Sequence, residues 1–157
     1  MSRVMNRHLL FTVFMFWAAC AMAQGAETWV VDHLNIVGID GRRHGFEVEL
    51  AVTPQQQTQG LMFRRALKAD AGMLFDFHKV KPVAMWMKNT LLPLDMIFIA
   101  DDGRIAGIAE RTIPQSLDII SSPGAVRAVL EVNGGTAEKL GLKVGDRVDY
   151  PLFSRGG

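Results

Sequence analysis

Three sets of residues carry most of the chemistry this sequence offers. The first is the run MWMKNTLLPLD, Met85 to Asp95, which sets a Lys-Asn pair and a carboxylate inside one of the most apolar regions of the chain. If the run is extended, Trp86 and Lys88 share a face, and an indole beside an ammonium suits a sugar, an aromatic or an anionic group. The same pair serves equally as packing, with the Lys88 stem along Trp86 and its head in water. Pro93 forces a bend, so Asn89, Thr90 and Asp95 are natural partners for the backbone groups freed there. Asp95 is also placed to pair with Lys88 or Arg64.

The second set is acid–base. A catalytic reading draws on Asp95, Glu131 and Lys88, with Arg64 holding an anion. The sequence has no Gly-x-Ser-x-Gly elbow, phosphate loop or His-Glu-x-x-His motif to support a specific reaction. The third set is sulfur: beyond residue 23 the methionines are Met62, Met73, Met85, Met87 and Met96, all within one third of the chain. Thioethers are soft ligands for Cu(I), and Met85 and Met87 would share a strand face, although methionine also fills core gaps. His33, His44 and His78 show no paired ligand spacing, so no zinc site is expected. The expected site is a pocket rimmed by Arg64, Trp86, Lys88, Asn89, Asp95 and Glu131. It would bind a small molecule or a cell-envelope component and use no cofactor.

The elements that position these residues are mostly strands. HLNIVGIDGRRHGFEVELAV reads as a hairpin turning near Asp40-Gly41, with Phe46, Val48, Leu50 and Val52 on one face. TPQQQTQG gives a short helix with Thr53 as N-cap, Pro54 at its first position and Gly60 as its stop. GMLFDF, VAMWMKN and LDMIFIA read as three strands, with HKVKP as a loop between the first two. A turn at Asp101-Asp102-Gly103 leads into RIAGIAE. RTIPQSLDIISSPGA reads as a long surface loop, VRAVLEV as another half-buried strand, and GTAEKLG as a second short helix stopped by Gly141. A Gly-Asp turn then opens the last strand; its Asp either brackets the amides of a sharp bend or belongs to an ordinary turn. The class expected is α+β, mainly antiparallel β, a compact barrel-like or rolled sheet with two short helices.

The N-terminus bears on compartment. Arg3 and Arg7 precede the apolar run LLFTVFMFWAA, which ends in AMA, so residues 1–23 read as a signal peptide cleaved after Ala23. The run is too short for a comfortable membrane span, so no stable span is expected after cleavage. Lipid attachment at Cys20 is disfavoured because Trp17 stands where Leu is usual. Cleavage leaves 15 basic and 16 acidic residues and removes the only cysteine. No nucleic-acid footprint, disulfide or thiol nucleophile remains. Residues 24–157 fit one domain, read as a periplasmic or secreted monomer.

Taken together and in order, GLMFRRAL, GMLFDF, MWMKNTLLPLDMIFI, DGRI and VLEVNGGTAEKLGLKVGD resemble DUF192, an uncharacterised conserved family. The similarity runs from about Gly45 to Asp149. It implies a single compact β-rich domain, frequently exported, and supplies no reaction. TPQQQTQG departs from the pattern, with glutamines where charged residues are usual.

Overall fold

A computed structural model describes residues 28–153. The proposed signal peptide, with its Cys20, lies outside the described residues. The elements follow as β1 (Val30–Val37), β2 (Arg43–Ala51), α1 (Pro54–Gln59), β3 (Ala71–Met85), β4 (Leu94–Ile99), β5 (Ile105–Thr112), β6 (Ile120–Asn133), α2 (Thr136–Leu140) and β7 (Arg147–Asp149), ending in a 3-10 turn at Pro151–Phe153. The strands form one mixed seven-stranded sheet in the order β5-β4-β6-β3-β2-β1-β7. Only the β2–β3 pairing is parallel, and α1 lies in that crossover. The sheet curls into a half-barrel whose edges meet at one bridge, Arg104 to Arg147.

Two apolar layers follow from the period-two alternation of these strands. Leu34, Ile36, Phe46, Val48, Leu74, Ile97 and Leu130 fill the barrel interior. Their alternates on the central strands, including Met73, Phe75, Met96, Phe98 and Val129, form a second buried cluster on the outer face. β3, β4 and β6 are therefore covered on both sides, which is why β4 is buried at all six positions. The outer cover is made by α1, the turn after it, and the segments joining β3 to β4 and β5 to β6.

The sequence reading and the structure differ at two places. HKVKP is not a loop: β3 runs through it, with a register shift in which Asp76 faces Ala128 and Lys81 faces Val126, so that five steps of β3 match two of β6. The polar signal marks a bulge, with His78 at φ 59°. As a result β3 reaches Met85, and Trp86 to Thr90 form a turn instead of a separate strand. The loop expected over 111–125 shrinks to 113–119, because Ile120 and Ser121 pair with Met85 and Ala84. Pro123 falls in the register shift between Ser121 and Ala125, where a missing N–H costs no ladder bond.

Other local readings match the structure. Thr53 caps α1 in a full capping box with Gln56. Gly135 and Gly141 bound α2. Asp146 accepts the Ile39 and Lys143 amides at 2.9 and 2.7 Å, bracketing the last bend.

Candidate functional site

The alternation of β6 sends Ala128, Leu130 and Val132 into the barrel and Val129 and Glu131 to the outer face. Glu131 faces Met73 on β3 and Met96 on β4, so its carboxyl stands between two wholly buried methionines. Above it, α1, the Gly60–Met62 turn and the end of β3 leave a cavity of about 300 Å³. Its walls include Met62, Phe75, Phe77, Met85 and Trp86, with Glu131 at its base. Glu131 is only 4% exposed, and its carboxyl makes no hydrogen bond or ion pair with any described residue. Since no fully sealed side-chain oxygen among the described residues lacks a partner, its oxygens meet the cavity. Burial pushes its carboxyl up to about 8. At neutral pH it is mainly a carboxylic acid, able to donate as well as accept.

Each wall has a local cause. Gly60 ends α1 at φ 48°, and a Cβ there would stand 3.1 Å from the Phe75 ring, so glycine lets the helix end close over the cavity. Gln57 ties α1 to the sheet by donating to the Asp76 and Ala51 carbonyls at 2.6 and 3.3 Å. Opposite, the Met87 N–H donates to the Ser116 carbonyl, the Gln115 N–H to the Thr90 carbonyl and the Phe63 N–H to the Asn89 carbonyl, at 2.9 to 3.1 Å. These bonds join three surface segments around Trp86. Phe63, Asn89 and Gln115 all take positive φ there, a local concentration of backbone strain.

The six residues expected to rim one pocket separate into two groups. Trp86 and Glu131 line the cavity. Lys88 extends over Trp86, its Nζ 5.1 Å from the ring centroid, and Asn89 occupies the turn beside them at φ 56°. Arg64 is instead engaged by Glu49 through two 2.5 Å bonds, with its guanidinium 5.9 Å from the Trp29 ring. Asp95 faces neither Lys88 nor Arg64. It is wholly buried and accepts the backbone N–H groups of Arg111, Gly135 and Ala137 at 2.7, 2.9 and 2.8 Å. Met85 lines the cavity, whereas Met87 is buried and its sulfur accepts the Thr112 hydroxyl at 3.1 Å. The two do not present one strand face, because the strand ends between them. Phe75 and Phe77 are cavity residues that the sequence does not mark: their spacing two apart with Met73 identifies a shared face and not what lies over it.

A larger cavity, about 510 Å³, opens between Leu50, Leu74, Arg127 and Tyr150. Its charged groups already hold one another: Arg127 donates to both oxygens of Asp76 at 2.9 and 3.2 Å, and the Tyr150 hydroxyl donates to Asp32 at 2.9 Å. The smaller cavity has the unpartnered group, and for that reason it is the candidate site.

Comparisons with known proteins agree with this fold. The model of the DUF192 family, described as "Uncharacterized ACR", matches residues 35–150. A solved structure from Sinorhizobium meliloti 1021, provisionally described as a transcription regulator, is 50% identical with a TM-score of 0.78; the match covers 80% of this chain and 97% of that one. A protein of unknown function from Novosphingobium aromaticivorans DSM 12444 is 40% identical with a TM-score of 0.74, over 76% of this chain and 85% of that one. None of the curated proteins matches the chain.

Proposed function

Since the chain belongs to the DUF192 family, whose description assigns no activity, we propose from the site that it is an exported domain binding a small ligand in the cavity over Glu131. The observation that carries this reading is the Glu131 carboxyl, buried to 4% exposure without a partner and open to the cavity. Burying such a group unpaired costs stability, and a ligand able to pair with it recovers that cost. A volume of about 300 Å³ suits a small molecule, and Trp86, Phe75 and Phe77 supply flat apolar wall. Export rests on the N-terminal reading of residues 1–23.

A catalytic reading needs further polar groups at the same cavity. Asp95 is turned to the opposite face of the sheet and Lys88 stands on Trp86 at the rim, so binding is the reading we hold. The regulator description of the Sinorhizobium protein raises DNA as a partner. Here the guanidinium groups of Arg42, Arg43, Arg64, Arg104, Arg111 and Arg127 each sit against an Asp or Glu, so these six are not free for phosphates.

The test is a ligand-observed NMR screen of small polar, aromatic and cationic compounds. Hits should weaken in both Glu131→Gln and Trp86→Ala variants that retain cooperative melting. Hits that bind those variants as well as wild type would place the ligand elsewhere and defeat the proposal.

A further inference from the structure

The methionines are distributed in a way that gap filling does not explain. Among the described residues there are five, and all belong to the outer layer: Met73, Met87 and Met96 in its buried cluster, Met85 packed against it, and Met62 on the cavity wall. The buried residues of the barrel interior are Leu, Ile, Val, Phe and Ala, with no methionine. Both layers need filling, so a general use of methionine as an adaptable packer would serve both.

Four of the five gather around one carboxyl. Met73 and Met96 are its cross-strand neighbours on the same face, and Met62 and Met85 line the cavity into which it opens. Met87 stands apart because it does not line the cavity and its buried sulfur accepts the Thr112 hydroxyl at 3.1 Å, whereas the Met62 sulfur has only a long 3.9 Å contact from the exposed Asn89 amide. A cation entering the cavity displaces the proton of this carboxyl, and the single carboxylate that results compensates one positive charge amid the thioethers and aromatic rings. A divalent ion would leave net charge in apolar surroundings. Hard cations need several oxygen ligands, whereas thioethers favour Cu(I).

We propose that the cavity is a site for a soft monovalent cation, Cu(I), held by the Met62 and Met85 thioethers with Glu131 supplying the compensating charge. Met73 and Met96 flank Glu131 on the neighbouring strands, buried and outside the cavity lining. This rests on the reading of the cavity as a ligand pocket and names the ligand class.

The experiment is anaerobic competition of the purified protein, carrying Cys20→Ser to remove its thiol, against a chromogenic Cu(I) chelator at fixed pH. Ag(I) serves as a redox-inert check and Zn(II) as the hard-ion control. One Cu(I) per chain is expected, with methyl shifts of Met62 and Met85 in 13C-methionine spectra. Met62→Leu with Met85→Leu should weaken binding by about 10- to 100-fold, and Met87→Leu should leave it unchanged. Each single variant provides the same reading should the pair fold poorly. Wild-type affinity in the folded Met62 and Met85 variants, or equal affinity for Zn(II), overturns the proposal. Absence of Cu(I) binding while Glu131-dependent hits persist in the NMR screen overturns the cation and leaves the pocket; absence of both removes both.

Discussion

Asp95 and Glu131 stand one register step apart on neighbouring strands, Asp95 facing Val132 and Met96 facing Glu131, and that step sends the two carboxyls to opposite faces of the sheet. They are two buried acids with different duties. Asp95 is saturated by three backbone donors that fasten the end of β5 to the start of α2. The Glu131 carboxyl has no hydrogen-bond or ionic partner among the described residues. Each position makes its own prediction.

Removal of the Asp95 carboxyl leaves three backbone N–H groups without their acceptor. Asp95→Ala should lose about 3 to 5 kcal/mol in urea denaturation, and Asp95→Asn less. Because Lys88 lies away from Asp95, the Lys88→Met, Asp95→Ala double variant should show additive losses. A double variant restored toward wild type would mean that the two charges hold each other.

Glu131 should set an unusual pH slope in the metal-free protein. Its folded pKa of about 8 lies above the ordinary 4.5, so the folded state keeps a proton that the unfolded chain releases. Stability is highest below the unfolded value and falls as pH rises toward 8, with a limiting slope of about 1.4 kcal/mol per unit. Glu131→Gln should flatten that decline and melt higher than wild type at pH 8. An unchanged pH profile would show that the carboxyl is not desolvated.

Asp76 should act in the opposite sense. Burial works to raise its pKa, but hydrogen bonds from Arg127 and from the His78 amide outweigh it and hold the carboxyl below its usual range. Its contribution is present above about pH 4 and lost as pH falls through the depressed value. Arg127→Met should therefore reduce stability at neutral pH and weaken the acid-side decline, as read from melting temperatures across that range.

Asn89 adopts φ 56° in the turn under Lys88, so backbone conformation matters there more than its amide. Asn89→Gly should keep both stability and ligand affinity, whereas Asn89→Val should lose about 1 to 2 kcal/mol. Lost affinity in a fully stable Asn89→Gly variant would instead give the side chain a direct role at the site.

Local signals in the sequence carried a good deal of this. Thr53 and Gly60 marked both ends of α1, Gly141 the end of α2, and the alternation in VRAVLEV the two faces of β6. What stayed hidden depends on register. Nothing in the order of residues says that Glu131 will meet Met73 and Met96, since those contacts join β6 to β3 and β4, neither of which is its neighbour in the chain. The reading of Met85 and Met87 as one face failed for a related reason. β3 extends only as far as Ile120 offers it a partner, and Met87 falls beyond that point.

The placement of β7 has a consequence for how the chain is made. Residues 147–149 pair with β1 at residues 35–37, and Arg147 also bridges to Arg104. A nascent chain ending short of residue 147 holds β1 with one edge unpaired and the barrel seam open. The seam is locked by β7, so the chain stays incompletely closed until residues 147–149 can pair with β1. Truncation before residue 147 should then leave a species prone to edge-to-edge aggregation, although it retains every residue of the cavity.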